Sequence, residues 1–329
     1  VPQSAKLSNA TPNNANFKIR LTGLLRPKAL VVGSWRLLVH DQLKLLKPYF
    51  VLSSGRLKMT IQSDISEVIE EKSSVYGPVH SWRVGSSLGV DLLLQTSTCS
   101  FNCIYCQLGD IQLKTAQRSI YVPTAQLEHD LRRSRWEEVD IITFSGSGEP
   151  TLALNLAEAI HWVKEYTGKP VMVLTNATLL HDPSVIQDLQ AADIVSCKLD
   201  AATEAGLRQM NRPVAGVTLA NIVSGIKNLK AHYKGKIALQ CMFMPTNLRE
   251  VEQMAELIND IQPDEVQLNT PKRAYPLEWH LDSRGNHGDK PYPTRELRTV
   301  SAPQADEIEA LLQEKTQVPI ISIYKKTVD

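Results

Sequence analysis

Cys99, Cys103 and Cys106 form a C-x3-C-x2-C run within Thr98-Cys99-Ser100-Phe101-Asn102-Cys103-Ile104-Tyr105-Cys106-Gln107-Leu108-Gly109. Thiolates this close can hold three corners of an iron–sulfur cube and leave the fourth iron without a protein ligand. An open iron is a place to bind something, so the loop points to chemistry at a cluster. Structural zinc normally takes four ligands, typically as two separated pairs, and no fourth cysteine or histidine follows at finger-like spacing. A disulfide framework fits worse, because five cysteines in 329 residues are sparse and odd in number. No stretch at the N-terminus reads as a secretory signal, and a reducing, cytoplasmic setting is expected. Cys197 and Cys241 each sit inside an apolar, strand-like run. Strand alternation puts Cys197 on the face opposite Lys198 and Asp200, and Cys241 opposite Gln240 and Met242. If the polar face lines a lumen, both thiols point outward into packing and no second all-cysteine cluster is expected.

The elements that must position this loop repeat from Leu88 onward. Apolar runs at Leu88–Leu94, Asp140–Phe144, Val171–Leu174, Ile194–Leu199, Lys236–Met244 and Glu265–Leu268 alternate with amphipathic stretches. Asp182-Pro183 reads as an N-cap with a first-turn proline. Asn247, with Glu250 three residues on, reads as a capping box. Strands alternating with helices imply a parallel sheet with right-handed crossovers. Six units suggest a partial (β/α) barrel, although the alternation alone equally permits a doubly wound open sheet. In a barrel, working residues lie at the C-terminal strand ends, which is where the cysteine loop falls.

The second strand is followed by Ser145-Gly146-Ser147-Gly148-Glu149-Pro150. Gly146 and Gly148 at a strand end suit close backbone approach to a small molecule. The cysteine spacing, the aromatic Tyr105 before the last cysteine, and Gly148-Glu149-Pro150 together resemble the radical SAM superfamily. In that family the fourth iron is chelated by S-adenosylmethionine (SAM), and a Gly-Gly-Glu-Pro element binds the amino end of SAM. Here Ser147 replaces the first glycine. The resemblance implies a partial (β/α)6 TIM-type barrel, a [4Fe-4S] cluster on Cys99, Cys103 and Cys106, and SAM as cofactor. It further implies SAM contacts from Tyr105, Gly146, Gly148, Glu149, Asn176, Lys198 and Asp200, with Gln240 and Met242 as weaker candidates. Thr175-Asn176 is similar to a Thr-Asn-Gly turn of the superfamily, with Ala177 in place of glycine. The implied reaction is reductive cleavage of SAM to methionine and a 5′-deoxyadenosyl radical that abstracts hydrogen.

The Tyr76-Gly77-Pro78-Val79, Ser87-Leu88-Gly89-Val90-Asp91 and Leu268-Asn269-Thr270-Pro271 segments, with the cysteine loop, look like iron–sulfur oxidoreductases related to tRNA wybutosine-synthesis enzymes. That resemblance spans roughly residues 75–275 and leaves the substrate open between a small molecule, a peptide and tRNA. A flavodoxin or ferredoxin type of reductase is the implied electron donor. A non-enzymatic electron-transfer or sensor protein is the remaining alternative.

Charge divides the chain. Residues 1–58 carry ten Lys and Arg against Asp41 alone, a balance of +9, whereas residues 59–329 carry 26 basic and 34 acidic residues, a balance of −8. The acidic remainder argues against a tRNA surface. Arg132-Arg133-Ser134-Arg135, its main basic cluster, reads as a solvated helix end. The first methionine is Met59, at the charge boundary. The expected organisation is a basic, non-catalytic or disordered extension over 1–58, a linker over 59–74 and the core over 75–275. A C-terminal α/β appendage over 276–329 could serve as a substrate lid. The rival reading of the extension is a basic arm for an acidic partner. Ala29 to Val39 is interrupted by Arg36, and no run reaches membrane-spanning length.

Overall fold

The computed structural model describes residues 48–53, 56–61, 72–285 and 292–325. The chain divides into two units, Val1–Ile69 and Glu70–Asp329. In the first, Pro48–Ser53 pairs antiparallel with Arg56–Ile61, so Met59 lies inside a strand. Residues 1–47, which hold most of the basic extension, lie outside the described residues.

The second unit is built on one eight-stranded sheet. In chain order its strands are β1 (Val75–Ser81), β2 (Gly85–Val90), β3 (Ile141–Phe144), β4 (Val171–Thr175), β5 (Ile194–Lys198), β6 (Lys236–Met242), β7 (Glu265–Asn269) and β8 (Ile320–Ser322). They lie side by side in that same order, every pair parallel except β1 with β2. The crossovers are helical: α1 (Thr124–Arg132), α2 (Leu156–Thr167), α3 (Pro183–Leu189), the pair α4 (Glu204–Met210) and α5 (Leu219–His232), α6 (Val251–Ile261) and α7 (Ala302–Lys315).

In-register residues of parallel neighbours project to the same face. The row Val90, Phe144, Val173, Val195, Ile237 is apolar, and so, apart from Thr175, is the row Thr175, Cys197, Leu239, Val266, Ile320. These rows join helix residues such as Ile160, Leu189, Ile226 and Ile258 in one core. Cys197 and Cys241 lie fully buried in that core, on the side away from Lys198 and Gln240. The opposite rows are more polar: Leu174, Ser196, Ala238, Glu265, and then Lys198, Gln240, Gln267.

The polar face is concave. Arg83, in the β1–β2 turn, feels the carboxylate of Glu265 at the start of β7. Four strands separate β2 from β7, and a flat sheet would hold them about 24 Å apart. The sheet therefore curls around a lumen, as a partial TIM-type barrel.

The first expected strand ends early. It stops at Val90, because the Asp91 carboxylate accepts hydrogen bonds from Leu93 N (3.0 Å) and Leu94 N (3.1 Å) and folds the apolar residues 92–94 into a buried turn. The sheet also gains two edge strands. Gly77-Pro78 obscures β1, and proline in a sheet belongs at such an edge. At the other edge, β8 has only three residues. The Asp182 cap forms as expected, its carboxylate accepting from Ser184 N at 2.8 Å. The Asn247 capping box does not form: α6 starts at Val251, and Asn247 instead donates to Asp200 O (2.7 Å) and Met242 O (2.9 Å). Glu250 reaches back to Ala202 N at 2.8 Å and to the Thr203 hydroxyl at 3.0 Å.

Candidate active site

The cysteine loop leaves the C-terminal end of β2 and is pinned on two sides. Thr98–Cys99 pairs with Leu113–Lys114, and Thr98 also bridges to Gly148. The far side hangs on the end of α4, where Asn102 N donates to Asn211 O (2.8 Å) and Ile104 N to Met210 O (2.9 Å). Asn102 braces the loop from within, donating to Asp110 Oδ1 at 2.6 Å and accepting from Ile111 N at 3.0 Å.

The three thiols gather close enough to influence one another electrostatically. Burial pushes the Cys99 thiol well up, with the Glu149 carboxylate next in effect. Burial and then Asp200 push Cys103 up, and burial and then Cys103 push Cys106 up to about 12. Cys99 Sγ accepts from Phe101 N and Asn176 Nδ2, both at 3.4 Å, and Cys103 Sγ from Asn211 Nδ2 at 3.3 Å. Three crowded buried thiolates need nearby positive charge, and metal coordination supplies it. Among the described residues no three His, Cys, Asp or Glu side chains converge as on a single metal ion. A cube that gives each cysteine its own corner iron does not ask them to. The donor set therefore fits a cluster with three protein thiolates.

Gly146 and Gly148 both have positive φ, +117° and +153°. A Cβ on Gly146 would lie 2.5 Å from Asp91 Cγ, and one on Gly148 would lie 1.6 Å from Thr98 O. The glycine-rich turn is thus welded to the cysteine loop, with Thr98 N donating to Ser147 O (2.8 Å) and Glu149 N to Thr98 O (3.0 Å). Ser147, where the family motif has glycine, is fully buried and donates to Asp91 Oδ2 at 2.6 Å. The Asp91 carboxylate also pairs with Arg284 at 3.0 Å, and Arg284 lies over the Tyr76 ring.

Glu149 is 2% exposed, and its carboxylate serves the protein. It accepts from Thr151 N (3.1 Å), Thr151 Oγ1 (2.6 Å), Thr175 Oγ1 (2.7 Å) and Asn176 N (2.6 Å). Burial pushes its pKa up against those four bonds. Asn176 is likewise committed, donating to Ser100 Oγ at 2.8 Å and accepting from Thr178 Oγ1 at 2.8 Å. Asp200 accepts from the Tyr105 hydroxyl, from Asn211 Nδ2 at 2.7 Å and from Met242 N at 2.9 Å. Lys198 is the least committed of the set. It donates to Gln240 at 3.1 Å, stands 3.7 Å from Asp200 and lies over the Tyr105 ring.

The structure therefore brings together Cys99, Cys103, Cys106, Tyr105, Gly146, Gly148, Glu149, Asn176, Lys198 and Asp200, at the C-terminal ends of β2 to β5. Met242 is buried and offers its backbone N–H to Asp200. Sequence reasoning missed Asn211, which links Cys103, Tyr105 and Asp200. A lone asparagine at a helix end carries no sequence signal for that role. Arg132 and Arg133 are exposed at the end of α1, as expected of a solvated helix end.

The model of the radical SAM superfamily matches residues 93–258, half of the chain. The chain belongs to this superfamily and is an enzyme of the radical SAM class, whose cofactors are a [4Fe-4S] cluster and S-adenosylmethionine. It is 46% identical over 228 residues to a UPF0026 protein of Synechocystis sp., covering 69% of this chain and 86% of the relative. It is 31% identical over 205 residues to a UPF0026 protein of Methanocaldococcus jannaschii, covering 60% of this chain and 63% of that relative. Among solved structures, one described as TYW1 with a lysine-pyruvate adduct bound aligns at TM-score 0.54 and 14% identity, over 73% of this chain and 77% of that one. Streptococcus suis SuiB bound to precursor peptide SuiA aligns at TM-score 0.52 and 12% identity, over 73% and 50%. At these identities the structural likenesses concern the fold. Among the described residues no helix is long and apolar enough to cross a membrane.

Proposed function

We propose that Cys99, Cys103 and Cys106 hold the cluster over the mouth of the lumen, and that the substrate is held beneath it on the polar face of the sheet. When bound, the cluster and SAM supply a 5′-deoxyadenosyl radical that takes hydrogen from that substrate. The chain's own part is to bind, orient and keep water away. The backbone of the Gly146–Gly148 turn is the surface offered to the amino end of SAM, and Lys198, the least committed side chain of the set, is the one to meet its polar groups. Glu149, Asn176 and Asp200 position these parts, since their hydrogen bonds already go to protein. The observation that carries this reading is the direct backbone pairing of Thr98, beside Cys99, with the Ser147–Glu149 turn. It fixes a ligand loop against a SAM loop. A flavodoxin or ferredoxin type of reductase is the proposed electron source.

Anaerobic reconstitution with iron, sulfide, SAM and dithionite tests the proposal. The expected product is 5′-deoxyadenosine with methionine, formed slowly even without substrate. A chain carrying a full cluster that forms neither would overturn it. For the substrate we favour a small molecule or peptide. The tRNA reading rests on the likeness of the Tyr76–Val79, Ser87–Asp91 and Leu268–Pro271 segments to wybutosine-synthesis-related enzymes, and the −8 balance of residues 59–329 opposes it.

A further inference from the structure

Two side chains hold the glycine-rich turn, and both bear on one guanidinium. Asp91 is fully buried just after β2, and its Oδ2 accepts from Ser147 Oγ at 2.6 Å. Gly146 packs on the same carboxyl, since a Cβ there would lie 2.5 Å from Asp91 Cγ. Tyr76 lies across Gly89, where a Cβ would meet its Cζ at 2.1 Å, and its hydroxyl shares a 2.7 Å hydrogen bond with Ser145 Oγ. The consecutive residues Ser145, Gly146 and Ser147 thus rest on Tyr76 and Asp91. Arg284 touches both: Nη1 donates to Asp91 Oδ2 at 3.0 Å, and the guanidinium lies 4.9 Å from the Tyr76 ring centroid. It is buried and itself anchored, with Nη1 and Nη2 donating to Ser73 O and Nε to Leu281 O, each at 3.2 Å.

Resting on the reading that the Gly146–Gly148 turn receives the amino end of SAM, we propose that Arg284 is a positioning residue for that turn. Through Asp91 and Tyr76 it sets the shape in which the turn's backbone meets SAM. The ordinary alternative is a buried ion pair that stabilises the fold and does nothing for the cofactor. The division of labour within the Asp91 carboxylate favours positioning. Oδ1 is spent on Leu93 N and Leu94 N, whereas Oδ2 takes both the Ser147 hydroxyl and Arg284, so a shift of the guanidinium is passed directly to the turn. A carboxylate this buried needs a counter-ion, and without one it must move or draw in water, which loosens the acceptor that Ser147 uses. The planar guanidinium also presents its edge to the carboxylate and its face to the Tyr76 ring, two contacts an ammonium cannot make together. Asp91 and Arg284 both lie outside residues 93–258, so this support is no part of the superfamily match. It brings the segment after β7 into the making of the SAM site.

The test is a SAM titration of the reconstituted, reduced full-length protein, read by the change SAM causes in the electron paramagnetic resonance spectrum, with steady-state SAM cleavage alongside. Arg284→Met should keep its iron, need about tenfold or more SAM for half of the change, and raise KM for SAM with kcat near wild type. Arg284→Lys, which keeps a charge beside Asp91, should recover part of that loss and guards against misfolding of the Met variant. Ser147→Ala should weaken SAM binding while leaving the ion pair in place. In that background Arg284→Met should cost clearly less than in the wild type, because part of its path has gone. Tyr233→Phe, which removes a buried 2.7 Å hydrogen bond to Ala192 O ahead of β5, should lower Tm without altering the SAM response. A normal SAM response in Arg284→Met, whatever its Tm, would overturn the proposal, as would a loss fully additive with that of Ser147→Ala. Gly146→Ala perturbs the turn directly and separates the two levels of the argument. If it also left the SAM response intact, the SAM reading of the turn would fall and this inference with it; if it weakened SAM binding while Arg284→Met did not, the role of Arg284 alone would fail.

Discussion

Replacing Gly148 with alanine is the sharpest test of the weld between the two loops. The added Cβ would sit 1.6 Å from Thr98 O and 2.5 Å from Thr98 C, both backbone atoms that cannot rotate away. Reaching an ordinary 3.4 Å contact needs a displacement of about 1.8 Å. That movement breaks the 2.8 Å and 3.0 Å hydrogen bonds between Thr98 and the Ser147–Glu149 turn. Each buried group left unpaired costs about 1–3 kcal/mol, and alanine at φ +153° adds strain of similar size. The total is about 3–9 kcal/mol, a large part of a domain's stability. Differential scanning fluorimetry of the cluster-free chain should then show Tm at least about 6 °C lower. Iron retained per chain should also fall, because Cys99 adjoins Thr98. Gly216→Ala is the control, since Gly216 also has positive φ, +87°, but nothing within 4 Å of the added carbon. Its cost is backbone strain of about 1–2 kcal/mol, and its iron content should stay at wild type. If Gly148→Ala melted no lower than Gly216→Ala and kept full iron, the reasoning from close approach would be refuted.

Cys99→Ala, Cys103→Ala and Cys106→Ala should each abolish the cluster in iron and sulfide assays. Cys197→Ser and Cys241→Ser should retain it, while losing about 1–3 kcal/mol of stability in denaturant titrations, because each buries a hydroxyl in the apolar core. Iron loss in Cys197→Ser would contradict the three-thiolate site. Glu149→Ala should keep its cluster, weaken the change that SAM causes in the electron paramagnetic resonance spectrum, and lose about 3 kcal/mol or more, since four donors lose their acceptor. An unperturbed SAM response in that variant would leave the task to the backbone around Gly148. A chain beginning at Met59, or at Glu70 where the second unit starts, should fold, carry the cluster and cleave SAM like the full chain. Insolubility or lost cleavage in both would make the first unit integral to the enzyme.

What could be read from sequence was what lies in contiguous residues. The cysteine loop and the Gly146–Pro150 turn each carry their chemistry within a dozen positions, and the middle strands are marked by apolar runs buried on the helix side. The alternation that set Cys197 and Cys241 opposite Lys198 and Gln240 was legible because a strand's period is two. Apolar character alone misled at residues 92–94, where burial is achieved by a turn under the Asp91 carboxylate and not by a strand. The Asn247–Glu250 spacing misled for a related reason. Both side chains have the reach of a capping box, yet stronger offers come from Asp200 O and Ala202 N, groups more than forty residues away. Asn211 was invisible on the same ground, since its partners Cys103 and Tyr105 lie over a hundred residues upstream.

This division says where the enzyme's two kinds of specificity reside. Glu149, Asn176 and Asp200 are expected from sequence as SAM contacts, yet each spends its hydrogen-bonding capacity on neighbouring loops. They act as staples that hold strand ends at fixed separations around the thiols, which in the proposed reading leaves the cofactor mainly backbone and Lys198. The lumen is organised differently. Its polar rows come from strands whose apolar face is fixed by the core, while the lumen-facing positions are free to carry charge.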